Sequence, residues 1–345
     1  MKIFISIASY QDPLLETTIR GAFDNADKPD NLFFGVCDQS SHAIDIKIFS
    51  FSNQISYDHV EPEISEGPCW ARHRIQKFFN DEDYYLQIDS HMQFQKGWDT
   101  YLLSYMQRIQ SIDSYSHKLP IITCYPRAFD IVDFNSGTYS LDNADTNTHI
   151  IAYREDSIFL KDSFSRQIGA ITDVEITHGY LLAAGCLFAP GAFVKEVPYD
   201  PDFYFYGEEI SLMIRAFTRG FGIFHIPAVP IFHLYTDTSD LKRKLHWDET
   251  EDGNRQVKWH EREEKSLNKL SMVISGEIEG VYGLGDKRTL KDYEFLSGIN
   301  LVVCWASWGV IENSLETHFQ ARCKLEGLQC RWVKVEQGWC IPRDF

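Results

Sequence analysis

Asp89 and His91 stand two residues apart in QIDSHM (87–92), directly after the apolar, β-rich run YYLQI (84–88). In an extended chain residues i and i+2 point the same way, so a carboxylate and an imidazole can converge there on one cation. Such a pair suits Mn2+ or a related divalent ion such as Mg2+. An ion held there would bridge the diphosphate of a nucleotide sugar and neutralise charge on the departing nucleotide. A third ligand is expected downstream, at His225 or His233. His233 is favoured because it ends the short apolar run PIF, whereas His225 lies between Phe224 and Ile226. The competing reading is structural: Asp89 caps a turn, His91 is an ordinary polar residue, and either later histidine is a satisfied core group.

Paired carboxylates follow at Glu208 and Glu209, at the start of a helical stretch and after the aromatic run FYFY (203–206). They either complement the helix dipole or bind hydroxyls and accept a proton from an attacking one. Arg72 lies on the helical stretch before the metal-competent strand, where a guanidinium can hold diphosphate or a sugar hydroxyl. Its structural alternative is a pairing with the acidic turn at 81–83. Ser9 and Tyr10 after the first strand, and Asp38 and Gln39 after the second, are placed to read a nucleobase or ribose. Ser90, between the two metal-competent residues, joins Asp89 as a candidate donor contact.

These residues need strands that end together. KIFISIAS (2–9) is an apolar strand, 14–26 has helical spacing, and LFFGVCDQS (32–40) is a second strand, with IKIFSF (46–51) a candidate third. The chain therefore opens β-α-β, the start of an open α/β sheet, in which ligands bind outside the carboxyl ends of the strands. CWARHRIQKFF (69–79) reads as a helix, YYLQI as a strand and PIITCYP (120–126) as another. Residues 127–175 read as a polar, irregular excursion, either on the acceptor side or merely solvated. YLLAAGCLFAP (180–190) reads as a buried strand with a tight turn, 206–221 as a loop and helix, and 224–235 as two short strands. The highly charged stretch 236–270 reads as a mobile loop followed by an exposed helix. The catalytic unit is expected to span 1–300, with 301–345 an extension of unassigned role.

The 345 residues suffice for one large domain, and a hydrophobic fraction of 44% supplies its core. A net charge of −17 argues against nucleic acid or anionic membrane as the main partner and suits a site that gathers cations. No run of 18 apolar residues occurs, so no transmembrane helix is expected. The N-terminal run is too short and too interrupted for a signal peptide. The eight cysteines include no C-x-x-C pair, which leaves a structural zinc site without support. The first four sit singly in apolar surroundings and read as reduced thiols, which implies a cytoplasmic location.

SIASYQDP (6–13), GPCWARH (67–73), YYLQIDSHMQF (84–94), GWD (97–99), YGEE (206–209), HLY (233–235) and YGLGDKRTL (282–290) occur in that order. Together, across about residues 2–300, they closely resemble the GlcNAc-transferase family, whose eukaryotic members are cytoplasmic enzymes that move GlcNAc from UDP-GlcNAc to protein hydroxyproline. The order ARH, DSH with GWD, GEE with Arg215 on the following helix, then His233 is more distantly similar to the polypeptide GalNAc-transferases. Those are retaining enzymes whose metal is held by an Asp-x-His and a later histidine. The resemblance implies a GT-A-type nucleotide-sugar-binding fold with a central mixed, mostly parallel sheet flanked by helices. It makes Asp89, His91 and His233 the metal ligands, Arg72 a donor-pocket residue and Glu208 the catalytic-loop glutamate. The chain departs from the distant family at Glu209, where that family has an amide, and at Ser211, where it has a carboxylate.

The reading is thus a metal-dependent hexosyltransferase using UDP-GlcNAc, with a protein or saccharide hydroxyl as acceptor. Resemblance implies retention, by front-face attack with the departing phosphate helping to take the proton. Three rivals stand beside it: a capsule or surface-polysaccharide transferase using another UDP-sugar, a metal-dependent sugar-binding module without turnover, and a metal-dependent hydrolase. The oligomeric state is not legible in the sequence.

Overall fold

The computed structural model describes residues 1–112, 119–134, 136–153, 167–238, 241–301, 305–306, 333–335 and 338–340. Its first half alternates strand and helix: β1 (Ile3–Tyr10), α1 (Leu15–Asp24), β2 (Leu32–Gln39), β3 (Ile55–Val60), α2 (Pro68–Gln76), β4 (Tyr84–Ile88), β5 (Met92–Phe94) and α3 (Trp98–Ser111). The expected third strand at 46–51 is not one. Ile46–Ile48 forms a 3-10 turn, held by Asp45 accepting from the Lys47 amide, and the strand comes at β3.

The second half continues with β6 (Leu119–Thr123), β7 (Arg127–Asp133), β8 (Thr138–Leu141), β9 (Thr148–Tyr153), β10 (Gln167–Thr172), β11 (Thr177–Gly179), β12 (Cys186–Pro190), α4 (Ala192–Glu196) and α5 (Glu208–Thr218). It closes with β13 (Phe221–His225), β14 (Ile231–His233), α6 (Glu249–Asp252), α7 (Trp259–Ser275) and α8 (Leu290–Ser297). The stretch 127–175, expected to be irregular, holds four strands among its described residues: β7 pairs with β8, and β9 with β10, both antiparallel. Its polar composition reflects hairpins with solvent-facing residues, which a search for apolar runs passes over. Most of the expected extension at 301–345 lies outside the described residues.

Eight strands form one sheet in the order β11-β13-β6-β12-β4-β1-β2-β3. β4, β1, β2 and β3 run parallel, β13 and β6 run parallel, and β12 joins the two groups antiparallel to both β4 and β6. Helices cover both faces, so the central strands are apolar on both sides. On β1, Ile3, Ile5 and Ile7 pack with Leu15 and Ile19 of α1 and Trp98 and Met106 of α3. Phe4 points the other way, toward Ile75 of α2.

Two devices aim the helices that matter for the site. Gly207 holds φ 93° at the turn into α5, a left-handed geometry glycine adopts without strain, and this brings Glu208 and Glu209 into the first turn. The far end of α5 is tied down by the YGLGDKRTL segment. Gly285 N donates to Thr218 Oγ1 (2.8 Å), Lys287 N to Thr218 O (3.0 Å) and Arg288 Nε to Phe217 O (2.7 Å). These bonds satisfy carbonyls that a helix C-terminus leaves open.

Candidate active site

β1, β2 and β4 are parallel and adjacent, so their carboxyl ends open onto one edge, and Asp89 is the first residue past β4. Arg72 of α2 is only 3% exposed and donates from Nη2 to Asp89 Oδ1 (3.0 Å). Its Nε lies 3.6 Å from Glu208 Oε1. The sequence-level alternative, a pairing of Arg72 with the acidic turn 81–83, is not what forms.

The turn Ser90-His91 is fixed by two short side chains. Thr18 Oγ1 donates to Ser90 O (2.7 Å) and accepts from Met92 N (2.9 Å). Asp12 Oδ2 accepts from Ser90 Oγ (2.8 Å) and meets His91 Nδ1 at 2.6 Å. β14 pairs antiparallel with β5, His233 opposite Met92, which sets His233 beside His91. The two Nε2 atoms are 3.0 Å apart, and His233 Nε2 is 3.5 Å from Asp89 Oδ2. One ligand-competent atom from each of Asp89, His91 and His233 lies within 4.8 Å of the others. His225 is elsewhere: fully buried in β13, its Nδ1 lies 2.6 Å from Thr123 O.

The electrostatics match a cation site. Burial works to raise the Asp89 pKa, but the His233 hydrogen bond and the Arg72 charge overcome it and hold the carboxyl well below its ordinary value. Burial likewise opposes ionisation of Asp12, and the His91 hydrogen bond and charge reverse the sign, so Asp12 is also an anion. A carboxylate on Nδ1 selects the tautomer of His91 that turns a lone pair on Nε2 inward. His233 is kept neutral by burial, its pKa lowered. Two imidazole nitrogens and a carboxylate oxygen within 4.8 Å of one another are a donor set that fits a divalent first-row cation once His233 Nε2 gives up its proton.

Above the cluster lies a cavity of about 330 Å³, walled by Tyr10, Gln39, Arg72, Asp89, His91, Phe205 and His233 and roofed by Arg243, Lys244, Leu245, His246 and Trp247. Tyr10 and Gln39 reach the cavity, but Ser9 and Asp38 do not. Ser9 sits opposite Asp38 and Tyr10 opposite Gln39 in the β1–β2 register. The period of two that carries Ala8, Tyr10 and Gln39 to the cavity sends Ser9 and Asp38 to the other face, where Asp38 accepts from Tyr57 Oη (2.6 Å).

Glu208 and Glu209 stand behind the wall. Glu208 Oε1 accepts from Tyr199 Oη (2.7 Å), and burial, partly offset by Arg72, raises its pKa. Glu209 Oε1 accepts from Ala184 N (2.8 Å) and Oε2 from Gln167 Nε2; burial pushes its carboxyl up to about 7.

Sequence reasoning did not single out Asp12 or the roof. Asp12 has the same signal as Tyr10, a polar residue just past a strand end on the binding edge. The roof residues lie in a charged stretch that reads as solvated, yet His246 is 4% exposed and hydrogen-bonds Tyr204 Oη (2.7 Å) and Ser65 Oγ (3.0 Å).

The mixed sheet flanked by helices, with a strand-end carboxylate and a cavity at its carboxyl edge, has the architecture of the GT-A-type nucleotide-sugar-binding fold. The sequence model of the GlcNAc glycosyltransferase family matches residues 2–48 and 40–302. The chain belongs to that family. A search of curated protein sequences gives no match. Among solved structures the chain is similar to GalNAc-T7 with UDP, GalNAc and Mn2+, at TM-score 0.51 and 13% identity over 85% of this chain and 54% of that one. It thus spans about half the length of that protein. S. aureus TarS gives TM-score 0.41 at 10% identity over 80% of this chain and 44% of that one. The mannosyltransferase PcManGT from Pyrobaculum calidifontis with GDP-Man and Mn2+ gives 0.42 at 10% over 69% and 58%.

Proposed function

We propose that this glycosyltransferase moves GlcNAc from UDP-GlcNAc to an acceptor hydroxyl and depends on Mn2+ or Mg2+ held by Asp89, His91 and His233. The observation that carries the reading is the convergence of those three side chains within 4.8 Å on the floor of the cavity. When bound, the cation supplies charge neutralisation for the departing diphosphate. Arg72, fixed between Asp89 and Glu208, presents a cationic guanidinium to the same space. Tyr10 and Gln39 face the nucleoside end, where β1 and β2 stop. Ser90 supports the donor site through Asp12. Glu208 holds Arg72 in place, and Glu209 braces the wall beside it. The stranded segment 127–175 forms the acceptor side.

Retention of configuration is part of the proposal and has its own test: a β-linked product from the α-linked donor refutes it. The four described cysteines are free and buried, which supports a reducing, cytoplasmic setting. Among the described residues no helix is long and apolar enough to cross a membrane.

The deciding experiment titrates UDP, UDP-GlcNAc, UDP-GalNAc and UDP-glucose calorimetrically into wild type and Asp89→Ala, with Mn2+ and with EDTA. UDP binding that needs both the metal and Asp89, tightest for UDP-GlcNAc, is the expected result. No UDP binding with Mn2+ present overturns the proposal. Tightest binding of another UDP-sugar, with transfer to free saccharides, moves the chain to the polysaccharide-transferase reading. Free sugar released at the same rate with and without acceptor makes it a hydrolase.

A further inference from the structure

The turn Leu182–Gly185, which leads into β12, is gripped by side chains from four separate elements. Gln167 of β10 donates to Leu182 O (3.0 Å), and Thr123 of β6 accepts from Ala183 N (3.1 Å). Gln87 of β4 donates to Ala184 O (2.6 Å), and Glu209 of α5 accepts from Ala184 N (2.8 Å). A buried turn needs partners for its peptide groups, but four dedicated side chains on four residues also fix its position.

That position bears on Asp89. β12 runs antiparallel to β4 with Cys186 opposite Ile88, so Gly185 comes beside Asp89. A methyl group on Gly185 would lie 2.7 Å from Asp89 Oδ2 and 3.5 Å from its Cγ. Gly185 is not among the glycines with positive φ, so space and not backbone conformation requires the glycine. The atom that would have to yield is the tip of a side chain, so an added methyl is cheap for the fold and displaces the carboxylate oxygen nearest His233.

We propose that Glu209 and Gly185 are positioning residues: Glu209 holds the Ala184 amide, and the turn so fixed presses the bare Gly185 backbone against Asp89 and sets where its Oδ2 stands. The proposal rests on Asp89 being a metal ligand. It accounts for a glutamate at 209, since one carboxylate accepts from both Ala184 N and Gln167 Nε2 while Gln167 also holds Leu182.

The test measures Mn2+ affinity by electron paramagnetic resonance of free Mn2+, with thermal unfolding alongside, for wild type, Gly185→Ala, Glu209→Ala, Glu209→Gln and Asp89→Ala. Gly185→Ala and Glu209→Ala are expected to weaken Mn2+ binding about tenfold, the lower end of what losing a supporting contact costs a metal site. Gly185→Ala should do so with an unchanged melting temperature. Glu209→Gln, whose Oε1 still accepts from Ala184 N while its amide nitrogen meets the Gln167 Nε2 donor, should recover part of the affinity. Wild-type affinity in Gly185→Ala, with Asp89→Ala impaired, overturns the positioning role and leaves the metal reading standing. Wild-type affinity in Asp89→Ala removes the metal reading itself. If Glu209→Ala does not fold, Gly185→Ala alone decides. If Glu209→Gln stays as weak as Glu209→Ala, the carboxylate acts by its charge and the clamp is wrong.

Discussion

The floor and the roof of the cavity are both rich in charge, and they are built in opposite ways. On the floor, Arg72, Glu208 and Tyr199 are buried, Arg72 and Glu208 being 3% and 7% exposed, and Arg72 holds the Asp89 side chain, itself 30% exposed. On the roof, Arg243 pairs with Asp237 (2.6 Å) and Lys244 with Glu251 (2.8 Å), and the Lys244 side chain is 53% exposed. A buried ion network is rigid because losing one member leaves the others charged and unpaired. A part-exposed pair is weak and screened by salt. The floor is therefore preorganised, while the roof carries cations that can exchange one anionic partner for another at little cost. His246 and Arg255, which donates to His246 O and to Tyr10 Oη, fasten the roof to buried groups.

The largest effect should follow from Asp89, the proposed metal ligand on the floor. Asp89→Ala, or EDTA on wild type, should lower transfer on the order of a thousandfold, since a bound cation supplies several kcal/mol of charge stabilisation. Initial rates with excess UDP-GlcNAc measure it. Arg72→Met keeps the packing volume and removes the charge from between Asp89 and Glu208. It should destabilise the fold by about 3–5 kcal/mol in denaturant unfolding, and adding Glu208→Gln should return part of the loss. Asp12→Asn takes the carboxylate from His91 Nδ1 and should weaken Mn2+ binding roughly 10–100-fold with little change in unfolding.

The roof should respond on a smaller scale. Lys244→Ala should cost donor affinity about 1 kcal/mol or less, fading as salt is raised, with no change in stability. Were it to destabilise as much as Arg72→Met, the contrast between floor and roof would collapse. The smallest effect concerns pH and Glu209, whose carboxyl is raised from 4.5 to about 7 by burial. A raised acid favours the folded state when protonated, so its contribution is complete below about 4.5 and is lost as pH rises through about 7. Thermal melts of wild type against Glu209→Gln across that window should show wild type losing the more.

The metal-site floor was legible where chemistry and strand ends coincide. Asp89 and His91 follow an apolar run, and the i, i+2 relation needs nothing beyond an extended chain. Arg72 and Glu208 were legible as candidates, but their mutual contact was not, since they stand 136 positions apart in the chain (208 minus 72). Ser9 and Asp38 show where placement reasoning stops. Strand ends were correctly located, but which of two successive side chains faces the cavity depends on the phase of the pleat against both helical layers. The segment 127–175 was misread for a related reason: β7 and β8 largely alternate exposed residues with buried or part-buried ones, and the apolar run of β9, Ile150 to Ala152, is short and set among polar neighbours.

By itself, the sequence determined the α/β class, the opening strand-helix-strand order, the cation-competent pair at a strand end and the family. These rest on local spacing and on motifs whose order survives folding. The tertiary structure shows how the favoured histidine joins that pair: His233 reaches His91 through the β5–β14 ladder. It alone turned Asp12 inward, roofed the cavity with a charged stretch and set Gly185 against Asp89. The physical reason is the same in each case: the contacts join groups far apart in the chain, and their geometry is fixed by sheet register and packing, which local sequence does not encode.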